Sequence, residues 1–138
     1  MKNKKILYVS SEVVPYLPET EISSMSFEIP RMINKQGGQI RIFMPKYGSI
    51  NERRHQLHEV IRLSGLNLVI NDLDMPLIIK VASIPKERIQ VYFIDNEDYF
   101  KRKATFNDEN GKPFKDNDER GIFFAKGVIE TIKRLNWP

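Results

Sequence analysis

Apolar positions along this chain fall in short blocks between polar breaks, and the blocks follow two different periods. Residues 5–10, KILYVS, form a run with no helical spacing and flanks that suit a buried parallel strand. Ile22, Met25, Ile29, Met32 and Ile33 then recur three and four apart, which predicts an amphipathic helix with that stripe as its apolar face. Pro30 should kink this helix or start a second helical piece, and Gly37-Gly38 should stop it. Residues 40–44, IRIFM, are rich in β-branched and aromatic types and predict a second strand. Strand, helix, strand in this order implies a right-handed crossover between two parallel strands.

Residues 48–56 are polar and predict an excursion from the core. Strands are predicted at 57–63, 66–70 and 77–83, with Asn71-Asp72-Leu73-Asp74 as the turn between the last two. Another core strand is predicted at 91–94, followed by a charged loop over 101–115 with a turn at Asn110-Gly111. A final helix begins after Asp116, an N-cap type with Glu119 three residues on, as in a variant capping box. Its stripe is Ile122, Ala125, Ile129 and Ile132, widened by Phe123, Val128 and Leu135. Lys133 and Arg134 sit in the last turn, where cations suit the helix dipole.

Composition narrows the functional classes. The chain has 138 residues, 41% hydrophobic and 29% charged, enough for one domain with a real core. It has no cysteine, which excludes a disulfide framework and thiolate metal sites, and fits a reducing cytoplasm. The basic start, MKNKK, leads into an apolar run too short for a signal core. No stretch approaches the ~20 apolar residues of a membrane span. The net charge is +4, but the basic residues are scattered rather than gathered with aromatics on one stripe, so they read as solvated surface and not as a nucleic-acid interface. His55 and His58 are three apart and could share a helix face around a metal. No carboxylate motif reinforces them and Arg53-Arg54 would oppose a cation, so they read as surface histidines.

Several segments carry more specific information. SSEVVPY at 10–16 follows the first strand, and IRIFMPKY at 40–47 closes the second. VYFIDNEDYFKR spans 91–102, Ile29-Pro30 lies in the first helix, and Asp116-Asn117 with Arg120 and Phe123-Phe124 opens the last. In this order and spacing they resemble the N-terminal domain of bacterial glycogen synthases and plant starch synthases. The resemblance implies an α/β fold: a partial Rossmann-like three-layer domain with a central parallel sheet plus additional antiparallel strands. Residues 1–138 would be the incomplete N-terminal half-domain of a two-Rossmann-domain glycosyltransferase. Such enzymes move glucose from ADP-glucose to an α-1,4-glucan, so the implied partners are a nucleotide sugar and a glucan, with no cofactor, metal, nucleic acid or membrane. In the family, a strand ending in a His-x-His-Asp-Trp segment follows a tryptophan such as Trp137, and a C-terminal nucleotide-binding domain comes later. Neither is in this sequence.

The resemblance implies substrate-binding positions at Glu12, Pro18, Glu19, Thr20, Asp116, Asn117 and Arg120, and no catalytic residue. The family usually has Lys-Thr-Gly-Gly-Leu where this chain has Pro18-Glu19-Thr20-Glu21-Ile22, and an aspartate at the position of Ser24. A glycine-rich turn lets free N–H groups and the helix dipole meet a phosphate. Carboxylates at that place satisfy the dipole themselves and repel a diphosphate. Residue by residue, then, Thr20 or Glu21 reads as a plain helix start. Glu12 reads either as a partner for sugar hydroxyls or as a brace for the turn. Asp116, Asn117, Asp118 and Glu119 read either as caps or as an acidic sugar site, and Tyr99-Phe100 as core closure before sugar stacking.

Two functions stay open at this stage: an N-terminal part of a retaining glucosyltransferase that is inactive alone, or a degenerate relative that binds glucan or a protein. A generic Rossmann nucleotide binder comes a distant third, because no G-x-G-x-x-G occurs. The first strand is central in open sheets of this type, so without its far neighbour 5–10 should present an unpaired apolar edge. Such an edge invites self-association or covering by a displaced segment.

Overall fold

The computed structural model describes residues 4–70, 72–84, 87–100 and 114–135. Elements run in the order β1 (Lys5–Val9), α1 (Glu21–Lys35), β2 (Gln39–Pro45), β3 (His58–Glu59), a 3-10 turn (Ile61–Leu63), β4 (Asn67–Ile70), β5 (Leu73–Pro76), β6 (Ile78–Ser83), β7 (Gln90–Asp95), α2 (Glu97–Phe100) and α3 (Asn117–Leu135). Five strands form one sheet in the order β1-β2-β7-β6-β3, and β4-β5 form a separate antiparallel pair. β1 and β2 are parallel, with Ile6 opposite Ile40 and Tyr8 opposite Ile42. The Lys46 N–H, just past β2, donates to the Ile94 carbonyl near the end of β7 (2.8 Å), which is the parallel sense. β6 and β7 join through a hairpin in which the Ile84 N–H donates to the Ile89 carbonyl (2.9 Å). This is a mixed α/β sheet, and β1 lies at its edge.

The described residues group into two compact units. One comprises 1–44, 51–58 and 81–93, the other 45–50, 59–80 and 94–138. The core of the first is Val13, Ile42, Phe43, Met44, Val91 and Phe93 with neighbours from the same segments. That of the second is Tyr47, Leu63, Leu77, Ile79, Phe100 and Phe123. β2 and β7 are apolar on both faces, as strands covered on both sides must be.

α1 forms for the reasons the sequence suggests, but it faces the other way. Thr20 caps it and the helix runs through Pro30 as one element, with no second helical piece starting there. Gly37, at φ 88°, closes it. The Gly38 N–H reaches the Ile33 carbonyl and the Gly37 N–H the Asn34 carbonyl (both 3.1 Å), the paired bonds of a Schellman ending that needs a left-handed residue. The side that packs is Ser23, Ser26 and Pro30, while Ile22, Met25, Ile29 and Met32 are exposed, Met25 by 55%. Small side chains let the helix backbone lie close to its neighbours, and the aliphatic stripe points away. α3 repeats the pattern: Phe123, Gly127, Val128, Thr131 and Leu135 are buried, whereas Ile122, Ala125 and Ile129 are not.

Two strand predictions need correction. Residues 57–63 form only the short β3 and a 3-10 turn: the Val60 N–H still donates to the Ile79 carbonyl of β6, but the Val60 carbonyl turns to accept the Leu63 N–H and ends the strand. The hairpin partner of β4 is β5 and not 77–83. The chain reverses at Asp72, whose φ is 63°, and Leu68 then faces Met75 with both side chains buried. The predicted turn at Asn110-Gly111, and most of the charged segment 101–115, lie outside the described residues. Among the described residues no helix is long and apolar enough to cross a membrane.

Candidate functional site

In the first unit, the chain leaves β1 and enters α1 through a tightly bonded turn. Ser10 N–H continues the ladder to the Phe43 carbonyl (3.0 Å), and Ser10 Oγ donates to the Glu12 carbonyl (2.9 Å) and meets Ser26 Oγ at 2.7 Å. Val13, Tyr16 and Leu17 are buried, and the Val14–Pro15 peptide is cis. The buried Val13, Tyr16 and Leu17 seat the polar end of the turn at the helix start. Thr20 Oγ1 accepts the Ser23 N–H (3.0 Å) and donates to Glu12 Oε2 (3.0 Å). Ser23 Oγ accepts the Thr20 N–H (2.7 Å) and donates to the Pro18 carbonyl (3.0 Å). Glu19 Oε1 accepts a weak bond from Ser24 Oγ (3.4 Å).

Four of the seven predicted site residues, Glu12, Pro18, Glu19 and Thr20, are therefore brought together. What joins them is a capping box with a carboxylate brace. The bracing reading of Glu12 describes its observed bond. The donor that a phosphate would seek at the third helical position already belongs to Thr20, and Glu12, Glu19 and Glu21 surround it with negative charge.

The other three predicted residues lie in the second unit. Asp116 precedes α3 and its carbonyl accepts the Arg120 N–H (2.9 Å). Arg120 is 4% exposed. Its Nε donates to the Tyr99 carbonyl (2.8 Å) and its Nη1 to Asn117 Oδ1 (2.9 Å). Its guanidinium also lies 5.2–5.9 Å from the ring centres of Phe114, Phe100 and Tyr47. A buried cation ringed by aromatic faces and bonded to a main-chain carbonyl is held firmly in place. Tyr99 and Phe100 fill the core around it, and Tyr99 donates its hydroxyl to Glu119 Oε2 (3.2 Å). Burial and then the Glu119 carboxylate push the Tyr99 phenol up to about 12. Asn96 caps α2 by accepting the Asp98 and Tyr99 N–H groups (2.9 and 3.1 Å), and Lys80 pairs with Asp95 at 3.0 Å.

The first unit also holds a cavity of about 600 Å³ that includes none of the predicted site residues. Tyr16, Arg54, His55, Gln56, Arg88 and Gln90 are among its walls. His55 is half-buried with its ring edge-on to Tyr16 at 5.0 Å, whereas His58 is exposed on β3. Partial burial and then Arg54 hold His55 below the usual histidine range, and burial drives the Tyr16 phenol well up. Sequence patterning missed this cavity, because Arg54 lies in the polar excursion 48–56 and Arg88 stands 34 positions further on with no motif joining the two. The Arg53-Arg54-His55 run was the signal available. Among the described residues no group of three or more histidines, cysteines and carboxylates could hold a metal.

Residues 5–138 match the family model of the starch synthase catalytic domain. The glycogen synthase of Chlorobium limicola is 43% identical over 137 residues, 99% of this chain and 28% of that protein. That of Chlorobaculum tepidum is 42% identical over the same shares. In structure the chain is similar to the catalytic domain of starch synthase IV from Arabidopsis thaliana bound to ADP and acarbose. The TM-score is 0.78 at 14% identity over 98% of this chain and 26% of that one, a likeness of fold. The chain thus spans just over a quarter of the length of these relatives.

Proposed function

Because the chain belongs to the starch synthase catalytic-domain family, we propose that residues 1–138 form an incomplete N-terminal catalytic domain of a retaining glucosyltransferase of the glycogen and starch synthase type. In this reading they are one wall of the crevice where ADP-glucose meets an α-1,4-glucan in the cytoplasm. The observation that carries it is near-complete coverage of this chain against about 28% of each relative. The exposed stripes of α1 and α3 support it, since aliphatic faces of that kind suit a further packed layer. Catalysis in such an enzyme comes from positioning and from stabilising charge on the departing diphosphate. This chain's part is to shape the floor through 10–20 and to hold Asp116, Asn117 and Arg120 at the start of α3. It supplies no catalytic group, so alone it transfers no glucose.

A second reading rests on the helix start. With Thr20 and Glu12 closing the cap and Glu19 beside it, the donor turn suits a protein that holds glucan, or a protein partner, without the nucleotide sugar. One pair of measurements separates the two. Incubation with ADP-glucose and maltooligosaccharide should give no chain extension; measurable turnover by this chain alone defeats the first reading. Calorimetry should then rank the ligands. Maltooligosaccharide bound in preference to ADP-glucose favours the second reading, and the opposite order removes it.

A further inference from the structure

The 600 Å³ cavity of the first unit lies within the size range of small-molecule sites. Its charge is one-sided. Arg54 enters from the loop after β2 and Arg88 from the β6–β7 hairpin, and no carboxylate stands among its described lining residues. Among the described residues neither guanidinium has a hydrogen bond or ion pair. Tyr16 is 5% exposed, and its hydroxyl is buried without a hydrogen-bond partner among the described residues. A buried donor of that kind is normally satisfied, so an unmet one on a cavity wall points to a guest. The backbone gives a separate sign. Gln56 and Arg88, both on the walls, have φ of 57° and 58°, a conformation costly for residues other than glycine and common where structure serves a site.

We propose that this cavity binds the phosphate group of a small metabolite through Arg54 and Arg88. Planar guanidinium forks fit the oxygens of a phosphate, and two of them from separate segments match its two negative charges. Tyr16 adds a phenolic donor. Gln56, Ser83 and Gln90 offer amide and hydroxyl groups suited to a sugar-sized body attached to the phosphate. The site is separate from the helix start at Thr20 and does not depend on any transfer reaction.

His55 provides the readout, because its ring touches Tyr16 and it feels Arg54. The 138-residue chain is titrated with inorganic phosphate, glucose 1-phosphate and glucose, while the imidazole resonances of His55 and His58 are followed by NMR. Saturable movement of the His55 signal is expected with at least one phosphate probe, together with a rise in its apparent pKa as bound anion offsets Arg54. Glucose should leave it in place. Tighter binding of glucose 1-phosphate identifies a sugar phosphate as guest, and equal or tighter binding of inorganic phosphate identifies the free ion. Arg54→Gln and Arg88→Gln each remove a charged donor and should weaken binding by about tenfold or more. Both positions are exposed, so the wild-type fold serves as a fair baseline. The proposal is overturned if neither phosphate probe saturates by about 10 mM, which would be weaker than roughly 3 kcal/mol of binding. It is equally overturned if both variants bind as the wild type does.

Discussion

Arg120 ties the start of α3 to the residues around Tyr99. Its sequence position matches a family motif, yet its bonds run to Tyr99 and Asn117 and its faces meet three aromatic rings. Lysine keeps the charge but cannot reproduce forked donors or lie flat on a ring. Arg120→Lys should therefore lower stability by about 2 kcal/mol by leaving the Tyr99 carbonyl short of a donor. A fall in the urea midpoint with an unchanged slope would register this. A variant as stable as the wild type but weaker for maltooligosaccharide would assign Arg120 to glucan binding instead.

At the scale of elements, two glycines of α3 make opposite predictions. A Cβ at Gly121 meets nothing within 4 Å, so Gly121→Ala should gain up to about 1 kcal/mol from helix propensity. A Cβ at Gly127 would stand 2.8 Å from Ile94 Cγ2 and 3.1 Å from Leu77 Cδ1, both buried. Gly127→Ala should cost roughly 1–3 kcal/mol through overpacking despite the same propensity. Thermal unfolding of the two variants tests the pair, and a shared sign would contradict this packing of α3.

The same helix marks the limit of pattern reading. Periodicity located α1 and α3, and unbroken apolar runs located β1, β2 and β7. It could not tell which face packs, because Ser23, Ser26, Gly127 and Thr131 carry no hydrophobic signal and are buried for their smallness. β5 was invisible because Asp74 and Pro76 interrupt it and only Met75 is buried. At the candidate site, the cap at Thr20 was legible from residue types, and its brace from Glu12 was one of two open readings. The cavity was not, since left-handed Gln56 and Arg88 have no glycine to announce them.

For the molecule as a whole, each unit taken alone has aliphatic surface with no cover among the described residues. In the first, β1 ends the sheet with Leu7 and Val9 exposed by 41% and 48%, and α1 adds its own stripe. Strand edges with apolar side chains recruit other strands. The chain should therefore associate with itself in a concentration-dependent way, visible by sedimentation between about 5 and 200 μM, a span wide enough to cross a micromolar constant. Val9→Lys should suppress the effect, as lysine on an edge usually does. A wild-type monomer across the whole range would rule this out.

The closed bonding at Thr20 has a consequence for anyone rebuilding the turn. In the resembling family this stretch reads Lys-Thr-Gly-Gly, which would put glycine at position 20. Grafting that loop here would attract a diphosphate but strip Ser23 of its N–H acceptor and Glu12 of its hydroxyl partner. Anion affinity and the firmness of α1's first turn are thus antagonists at one locus. A graft could regain both only by shifting the helix start to a different residue.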